Sequence, residues 1–209
     1  DDVVRLLDAK TGKEIRQFFG CKDEVLAVAF SDDGSRVAAV SQHDGIARMW
    51  DVSSSRQLRI FGTTTEFNRA FLAISPNGSL LALANRSGNV LLWELDHDRP
   101  ARRLSANQTM TNSFAFSPDG NLFAIGSLLD IQLWDIPSGR LVCKFSSGPT
   151  HLDQYRNVAF CPDGRILACG ANDGTVRLWE IPEAVRRSPP VVDDGVTDEM
   201  TIEASEEDK

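Results

Sequence analysis

The clearest pattern along the chain is a short apolar run, a turn rich in Gly, Asp and Asn, and a second short apolar run. In the last copy, which reads NVAF-CPDG-RILACG-ANDG-TVRLWEI over residues 157–181, two such turns separate three runs of strand length. Gly takes a positive φ without strain, and Asp or Asn caps its own backbone, so both turns favour hairpins. The pattern therefore predicts three antiparallel strands within this copy.

The same pattern recurs in phase through most of the chain. The first turns end at Gly34, Gly78, Gly120 and Gly164, and the third runs end at the four tryptophans of the sequence, Trp50, Trp93, Trp134 and Trp179. A period of roughly 40–45 residues with four strands per unit is typical of propeller blades.

The units resemble WD repeats. The resemblance spans residues 3–181 and is carried by two sets of positions. The first-turn set is Phe30-Ser31, Ile74-Ser75-Pro76, Phe116-Ser117-Pro118 and Phe160-Cys161-Pro162. The dipeptide set is Trp50-Asp51, Trp93-Glu94, Trp134-Asp135 and Trp179-Glu180. The resemblance implies an all-β fold, a β-propeller made of four-stranded antiparallel blades.

Phasing the repeats divides the chain into blades. We expect a half blade at 3–20, whole blades at 21–62, 63–106 and 107–147, and a last blade at 148–182 that lacks its outer strand. Because propellers of the WD-repeat family usually have seven blades, the resemblance implies that upstream blades or a domain of the same protein are missing, or that closure is atypical. The first strand of each blade is nearly all apolar, as expected for a strand covered on both faces.

The charge is concentrated after the repeats. The net charge is −8, and residues 183–209, which include Pro189-Pro190, are predominantly acidic. This composition predicts a disordered acidic tail. The repeat region is nearly neutral, so we expect no nucleic acid partner.

Several targeting and covalent features are not visible in the sequence. No apolar run approaches the ~18 residues of a membrane span, and Asp1–Leu7 does not read as a signal peptide. Cys21, Cys143, Cys161 and Cys169 have no C-x-x-C spacing, which favours free thiols over a zinc site. We therefore expect a soluble protein of a reducing compartment, cytoplasmic or nuclear.

The resemblance also implies a bracing network within each blade. In the family a histidine before the first strand, a hydroxyl late in the second, an Asp in the turn between the second and third strands, and the Trp can be hydrogen-bonded together. The last blade has His151, Asp173 and Trp179, and Asp44 is the turn acid of the first whole blade. The hydroxyl position is taken by Cys169 in the last blade and by Val40, Leu83 and Ile125 in the others.

Candidate catalytic chemistry is sparse. Asp44, Asp130 and Asp173 would lie on one rim and could do acid–base work, which leaves a propeller hydrolase as a weak alternative. An Asp before Gly is also what a tight hairpin selects, and this structural interpretation is favoured. Asp96-His97-Asp98 could ligate a metal, but a solvated loop explains it better. We therefore predict no catalytic residue, no metal and no cofactor.

The predicted function is a non-catalytic scaffold that binds peptides or protein domains at the rim. This rim is formed by the loops between the second and third strands and those that lead into the first strands. Its candidate residues are His43, Arg86, Asn172, Glu24, Phe67 and Tyr155. Phe67 and Tyr155 are either exposed anchors or packed into the neighbouring blade. The alternative function is the regulatory or sensor half of a larger enzyme, such as a kinase or nucleotide-driven switch, whose catalytic part lies upstream.

Overall fold

The structure is a computed structural model that describes most of the repeat region. The described residues are 2–42, 45–62, 71–85, 87–97, 100–105, 111, 113–146, 155–186 and 200–203. They fall into two compact units, Asp1–Leu104 and Ser105–Lys209.

The first unit holds one two-stranded and two four-stranded antiparallel sheets. The two-stranded sheet is β1 (Val4–Leu7) and β2 (Glu14–Phe18). The next sheet is β3 (Val25–Phe30), β4 (Arg36–Ser41), β5 (Ala47–Asp51) and β6 (Gln57–Phe61), and the third is β7 (Phe71–Ile74), β8 (Leu80–Ala84), β9 (Asn89–Glu94) and β10 (Pro100–Ser105).

The second unit holds two sheets built in the same way. One consists of β11 (Ser113–Phe116), β12 (Leu122–Gly126), β13 (Ile131–Asp135) and β14 (Arg140–Ser146), and the other of β15 (Tyr155–Phe160), β16 (Ile166–Ala171) and β17 (Val176–Glu180). The prediction of an all-β fold with four-stranded antiparallel sheets is confirmed.

The first hairpin turn is the same in four sheets, as the Gly spacing predicts. The amide of Gly34 donates to the carbonyl of Ser31 over 2.8 Å, and Gly34 has a φ of 67°. Equivalent bonds close the turns at Gly78, Gly120 and Gly164. The positive φ explains why glycine occupies this position in every copy.

Burial is deepest in the second strand of each four-stranded sheet. Almost every residue of β4, β8 and β12 is buried. The expectation that the first strands are covered on both faces is wrong for β3, where half-buried and exposed residues alternate. Leu26, Val28 and Phe30 form its exposed face, because no described element lies over them.

The acidic segment after the repeats differs in part from its prediction of disorder. Glu183–Arg186 form a helical turn, α1, in which Val185 is buried. Met200–Glu203 form β18, which pairs in parallel with β14 and extends that sheet to five strands. Residues 187–199 and 204–209 lie outside the described residues.

Candidate interaction surface

Tryptophans at the end of the third strands pack against a phenylalanine from the fourth strand of the preceding sheet. Centroid distances within the two units are 5.4–6.0 Å. The pairs are Phe18–Trp50, Phe61–Trp93 and Phe145–Trp179. Ring pairs at such distances add stabilisation beyond the burial of their area. This recurring contact joins consecutive sheets and makes a fixed frame for the loops at their ends.

The indole N–H groups find few acceptors. Trp50 Nε1 donates to the carbonyl of Phe19 over 3.0 Å. In the described part of the chain, the buried Nε1 atoms of Trp93, Trp134 and Trp179 have no acceptor in hydrogen-bond geometry. His151 and Asp44 lie outside the described residues, so the bracing network remains a prediction.

The hydroxyl position of that network can be compared with the structure in two sheets. Cys169 and Trp179 belong to the same buried cluster, and burial raises the pKa of the Cys169 thiol. In the first whole sheet Ala39 clusters with Trp50, whereas Val40 belongs to the cluster on the opposite face. The prediction of Val40 was off by one residue, which in a strand exchanges the two faces.

The acid that follows the tryptophan holds the turn into the fourth strand. Asp51 Oδ1 accepts bonds from the Ser53 hydroxyl at 2.6 Å and from the Ser54 amide and hydroxyl at 2.7 Å. These bonds, with the Ser53 hydroxyl as the largest cause, lower the pKa of Asp51 to about 2. Asp135 and Asp8 accept bonds from their own turns in the same way. In Glu94, by contrast, Oε2 lies 2.7 Å from His97 Nδ1, and Glu180 is exposed.

A second set of local bonds fixes the first hairpin turns, and sequence reasoning did not single it out. The Ser31 hydroxyl donates to Asp33 Oδ1 over 2.6 Å and is the largest cause that lowers the pKa of Asp33 to about 2. Equivalent pairs are Ser75–Asn77, Ser117–Asp119 and Cys161–Asp163. The repeated S-x-D pattern was the available signal.

The candidate acid–base residues are engaged by their own turns. Asp173 Oδ1 accepts from the Thr175 hydroxyl at 2.6 Å and from its amide at 2.9 Å, and Arg177 donates to Oδ2 over 2.8 Å. The Thr175 hydroxyl is the largest cause that lowers the pKa of Asp173. Asp130 accepts from the Ser127 hydroxyl over 2.8 Å. A carboxylate whose pKa is lowered, as that of Asp173 is, is a poor proton acceptor at neutral pH.

The thiols are also poorly suited to nucleophilic attack. Burial raises the pKa of Cys143 to about 11 and raises that of Cys169 as well. Since the thiolate is the nucleophile, a raised pKa leaves both groups protonated. In the part of the chain that the structure describes, no three His, Cys, Asp or Glu side chains come together as a metal site.

The structure places half of the predicted rim residues. Glu24 and Asn172 are exposed, and the Glu24 carbonyl accepts the Gln42 amide over 2.9 Å, which anchors the loop into β3. Tyr155 is fully buried, with Arg177 over its ring at 6.0 Å. Of the two interpretations of Tyr155, packing into a neighbouring sheet is the correct one, and an exposed anchor is excluded. His43, Arg86 and Phe67 lie outside the described residues.

A pocket of about 360 Å³ lies at the first turns of two consecutive sheets in the first unit. It is polar, and its lining includes Asp32, Arg36, Asn77 and Asp96. Sequence reasoning missed it, although both turns come from the same repeat position. The pocket offers mixed charge without a convergent catalytic group.

No helix among the described residues is long and apolar enough to cross a membrane.

Two of the known proteins similar to this chain align with it along most of its length. Telomerase protein component 1 of Rattus norvegicus is 27% identical over 185 residues, which is 88% of this chain and 7% of that protein. Protein LST8 homolog of Drosophila melanogaster is 27% identical over 188 residues, which is 85% of this chain and 58% of that protein. The chain therefore spans less than two thirds of either relative.

The family comparison agrees with the geometry of the sheets. The family described as WD domain, G-beta repeat, matches residues 12–51, 99–135 and 140–180, together more than half of the chain. These segments contain three of the four tryptophan-ended strands. The chain belongs to the WD40 repeat family.

Proposed function

We propose that the chain is a non-catalytic scaffold that binds peptides or protein domains through rim loops, such as the loop of Glu24 in the first unit or that of Asn172 in the second. WD40 repeats imply a protein-interaction scaffold in general. The observation that supports binding at the rim is that carboxylates in the loops accept hydrogen bonds from their own turns. Asp130 and Asp173, in loops between second and third strands, both accept hydrogen bonds from their own turns. Their chemistry fixes loop conformation, and a fixed loop loses little entropy when a partner binds.

The charge distribution supports a protein partner over a nucleic acid. The chain has a net charge of −8 and offers no excess of cations to neutralise phosphates. All four cysteines are free, and three of them are buried. This supports a reducing compartment, cytoplasmic or nuclear, as the place where the scaffold works.

The test uses two rim variants, Glu24→Lys and Asn172→Lys, each made separately. Proteins captured by the immobilised chain would be identified by mass spectrometry, purified, and titrated against each variant by biolayer interferometry. The proposal expects a partner whose Kd rises at least about tenfold, or about 1.4 kcal/mol, in one rim variant. Lys10→Glu, at an exposed residue in the turn between β1 and β2, is the control and should leave the Kd unchanged. Partners that bind both rim variants as tightly as the parent chain would refute the rim as the binding surface.

A second candidate is the regulatory or sensor part of a larger polypeptide that also carries an enzyme. One observation favours it: the match to Telomerase protein component 1 covers only 7% of that protein, so repeats like these occur within a much longer chain. Sequencing the complete open reading frame separates the two candidates. A kinase or nucleotide-binding domain in the same frame supports the second, and a frame made of WD40 repeats alone rules it out.

A further inference from the structure

The sheet of β11, β12, β13 and β14 carries a strand that the four-stranded sheets of the first unit lack. Met200–Glu203 form β18, which pairs with residues 143–146 of β14. Among the described residues, the sheets β3–β6 and β7–β10 each consist of four strands without a fifth. β18 is therefore an addition to a sheet that already has the four strands of its counterparts.

The direction of β18 sets it apart from the rest of its sheet. It runs parallel to β14, whereas β11, β12, β13 and β14 pair antiparallel in chain order. A parallel neighbour is not reached by a tight hairpin, so β18 is a separate segment brought to the edge. Among the described strands β17 pairs with β16 alone and so also has an open edge, yet the segment lies on β14.

The composition of β14 explains why this edge accepts an acidic segment. With seven residues β14 is the longest of the described strands, and its two charged residues, Arg140 and Lys144, are both cations. β17 has five residues with one cation and one anion. Asp198-Glu199 directly precede β18, and Glu203 ends it. Opposite charges on the two segments favour docking at β14 over docking at β17.

The pairing of β18 adds little to the core of this unit. Cys143 and Phe145 of β14 belong to the buried cluster of Trp179, and the Phe145 ring lies 5.4 Å from the Trp179 ring. An added edge strand is held mainly by its backbone hydrogen bonds. β18 has only four residues, and each hydrogen bond contributes a net ~0.5–1.5 kcal/mol. A competing strand can therefore displace it while the core stays packed.

We propose that the outer edge of β14 is a strand-addition site for a partner protein, and that residues 200–203 occupy it in cis until a segment of the partner displaces them. The partner segment is extended, with β-branched residues like Thr201 and Ile202 at its centre and acidic residues at its ends. The site is a sheet edge and not a rim loop. It therefore goes beyond the proposed function and does not depend on it.

The test uses a peptide probe and a variant of the full chain in which the cis segment pairs poorly. Thr201→Pro and Ile202→Pro are combined, since amides along a strand point alternately to its two edges and proline has none to donate. The probe is a fluorescein-labelled peptide with the sequence of residues 198–204, titrated by fluorescence anisotropy. Its Kd should be at least about tenfold lower for the variant than for the parent, where the tethered segment competes at an effective concentration on the order of millimolar.

Three controls locate the binding. A peptide with both prolines has the same length and charge and should bind neither chain. In the proline variant, Lys144→Glu should raise the Kd of the probe at least about threefold, whereas Arg165→Glu, at an exposed cation of the same unit, should not. Bound probe should also slow amide hydrogen exchange in residues 140–146.

A second variant leaves every backbone amide in place. Glu203→Lys removes one of the acidic groups that favour the cationic edge of β14, so the cis segment is weakened by charge alone. The Kd of the probe should therefore fall for Glu203→Lys as well, which keeps the test decisive if the two prolines impair folding.

Equal Kd values for the parent and both variants, or no binding to either variant up to about 1 mM probe, would overturn the proposal. A parent chain that light scattering shows to be a dimer, with a monomeric proline variant, would also overturn it, because the segment would then occupy β14 of a second copy. Glu24→Lys and Asn172→Lys should leave the Kd of the probe unchanged, so a failure of this site is distinct from a failure of the rim.

Discussion

The contact between Phe18 and Trp50 makes a sharp prediction about what joins consecutive sheets. Phe18 is 1% exposed and clusters with Val4, Val37 and Trp50, and its ring lies 6.0 Å from the Trp50 ring. Phe18→Ala removes a buried aromatic side chain, and such truncations cost about 3–5 kcal/mol. Of that loss, about 0.5–1.5 kcal/mol belongs to the ring pair itself rather than to buried area.

The neighbouring phenylalanine is a matched control. Phe19 is 63% exposed, and it accepts the hydrogen bond of the Trp50 indole through its backbone carbonyl, which a side-chain substitution does not remove. Phe19→Ala should therefore change the free energy of unfolding by less than about 0.5 kcal/mol. The two variants differ by one position in the chain and remove the same atoms.

Urea titration followed by far-ultraviolet circular dichroism measures both losses. A shift in the midpoint at constant slope reports stability alone. A double-mutant cycle of Phe18→Ala with Trp50→Leu isolates the ring pair, with an expected coupling of about 0.5–1.5 kcal/mol. Equal midpoints for Phe18→Ala and Phe19→Ala, or a coupling near zero, would refute the proposed role of this contact.

Three further predictions concern the turns. Asp33 has a pKa of about 2, lowered from 3.8, so its stabilisation is present above about pH 4 and lost as the pH falls towards 2. Asp33→Asn keeps a hydrogen-bond acceptor, as Asn77 provides in the next sheet, but removes the carboxylate. The parent should therefore have the higher Tm at pH 6, and this difference in Tm should shrink by pH 2.5. A difference in Tm that stays constant with pH would contradict the prediction. Gly62→Ala places a Cβ 3.1 Å from a backbone oxygen at a φ of 86° and should cost about 1–3 kcal/mol in urea titrations. At Gly34 an added Cβ would meet no atom within 4 Å, so Gly34→Ala should lower the free energy of unfolding by only about 1 kcal/mol. A larger loss of stability for Gly34→Ala than for Gly62→Ala would contradict this prediction. Cys161→Ser should leave Tm unchanged within about 2 °C, because serine occupies this position in three other turns; a clear drop in the calorimetric Tm would argue against equivalence.

The strands could be predicted from sequence because local signals repeat. The four tryptophans lie in β5, β9, β13 and β17, the third strands that the repeat period predicts. The exact strand ends could not be predicted, since the turn hydrogen bonds rather than the hydrophobic pattern decide where pairing stops. The repeat period is set by the glycine turns and does not depend on those ends.

The packing of individual side chains could not be predicted in the same way. Phe18 and Phe19 are neighbours of the same residue type, so the sequence does not distinguish them. The pleat of the chain at β2 decides which of the two is buried. Tyr155 and the exposed face of β3 depend on neighbouring sheets, so periodicity within one strand carries no information about them. The strand β18 has no turn signal and depends on the open edge of β14.

Amide hydrogen exchange followed by mass spectrometry tests the central claim most directly. If each unit consists of WD40 sheets packed face to face, the second strands β4, β8 and β12, where almost every residue is buried, should exchange most slowly. Peptides from the outer strands β2 and β6 should exchange faster, because they carry several exposed residues. Uniformly fast exchange in the second strands, or strongest protection in the outer ones, would contradict the account.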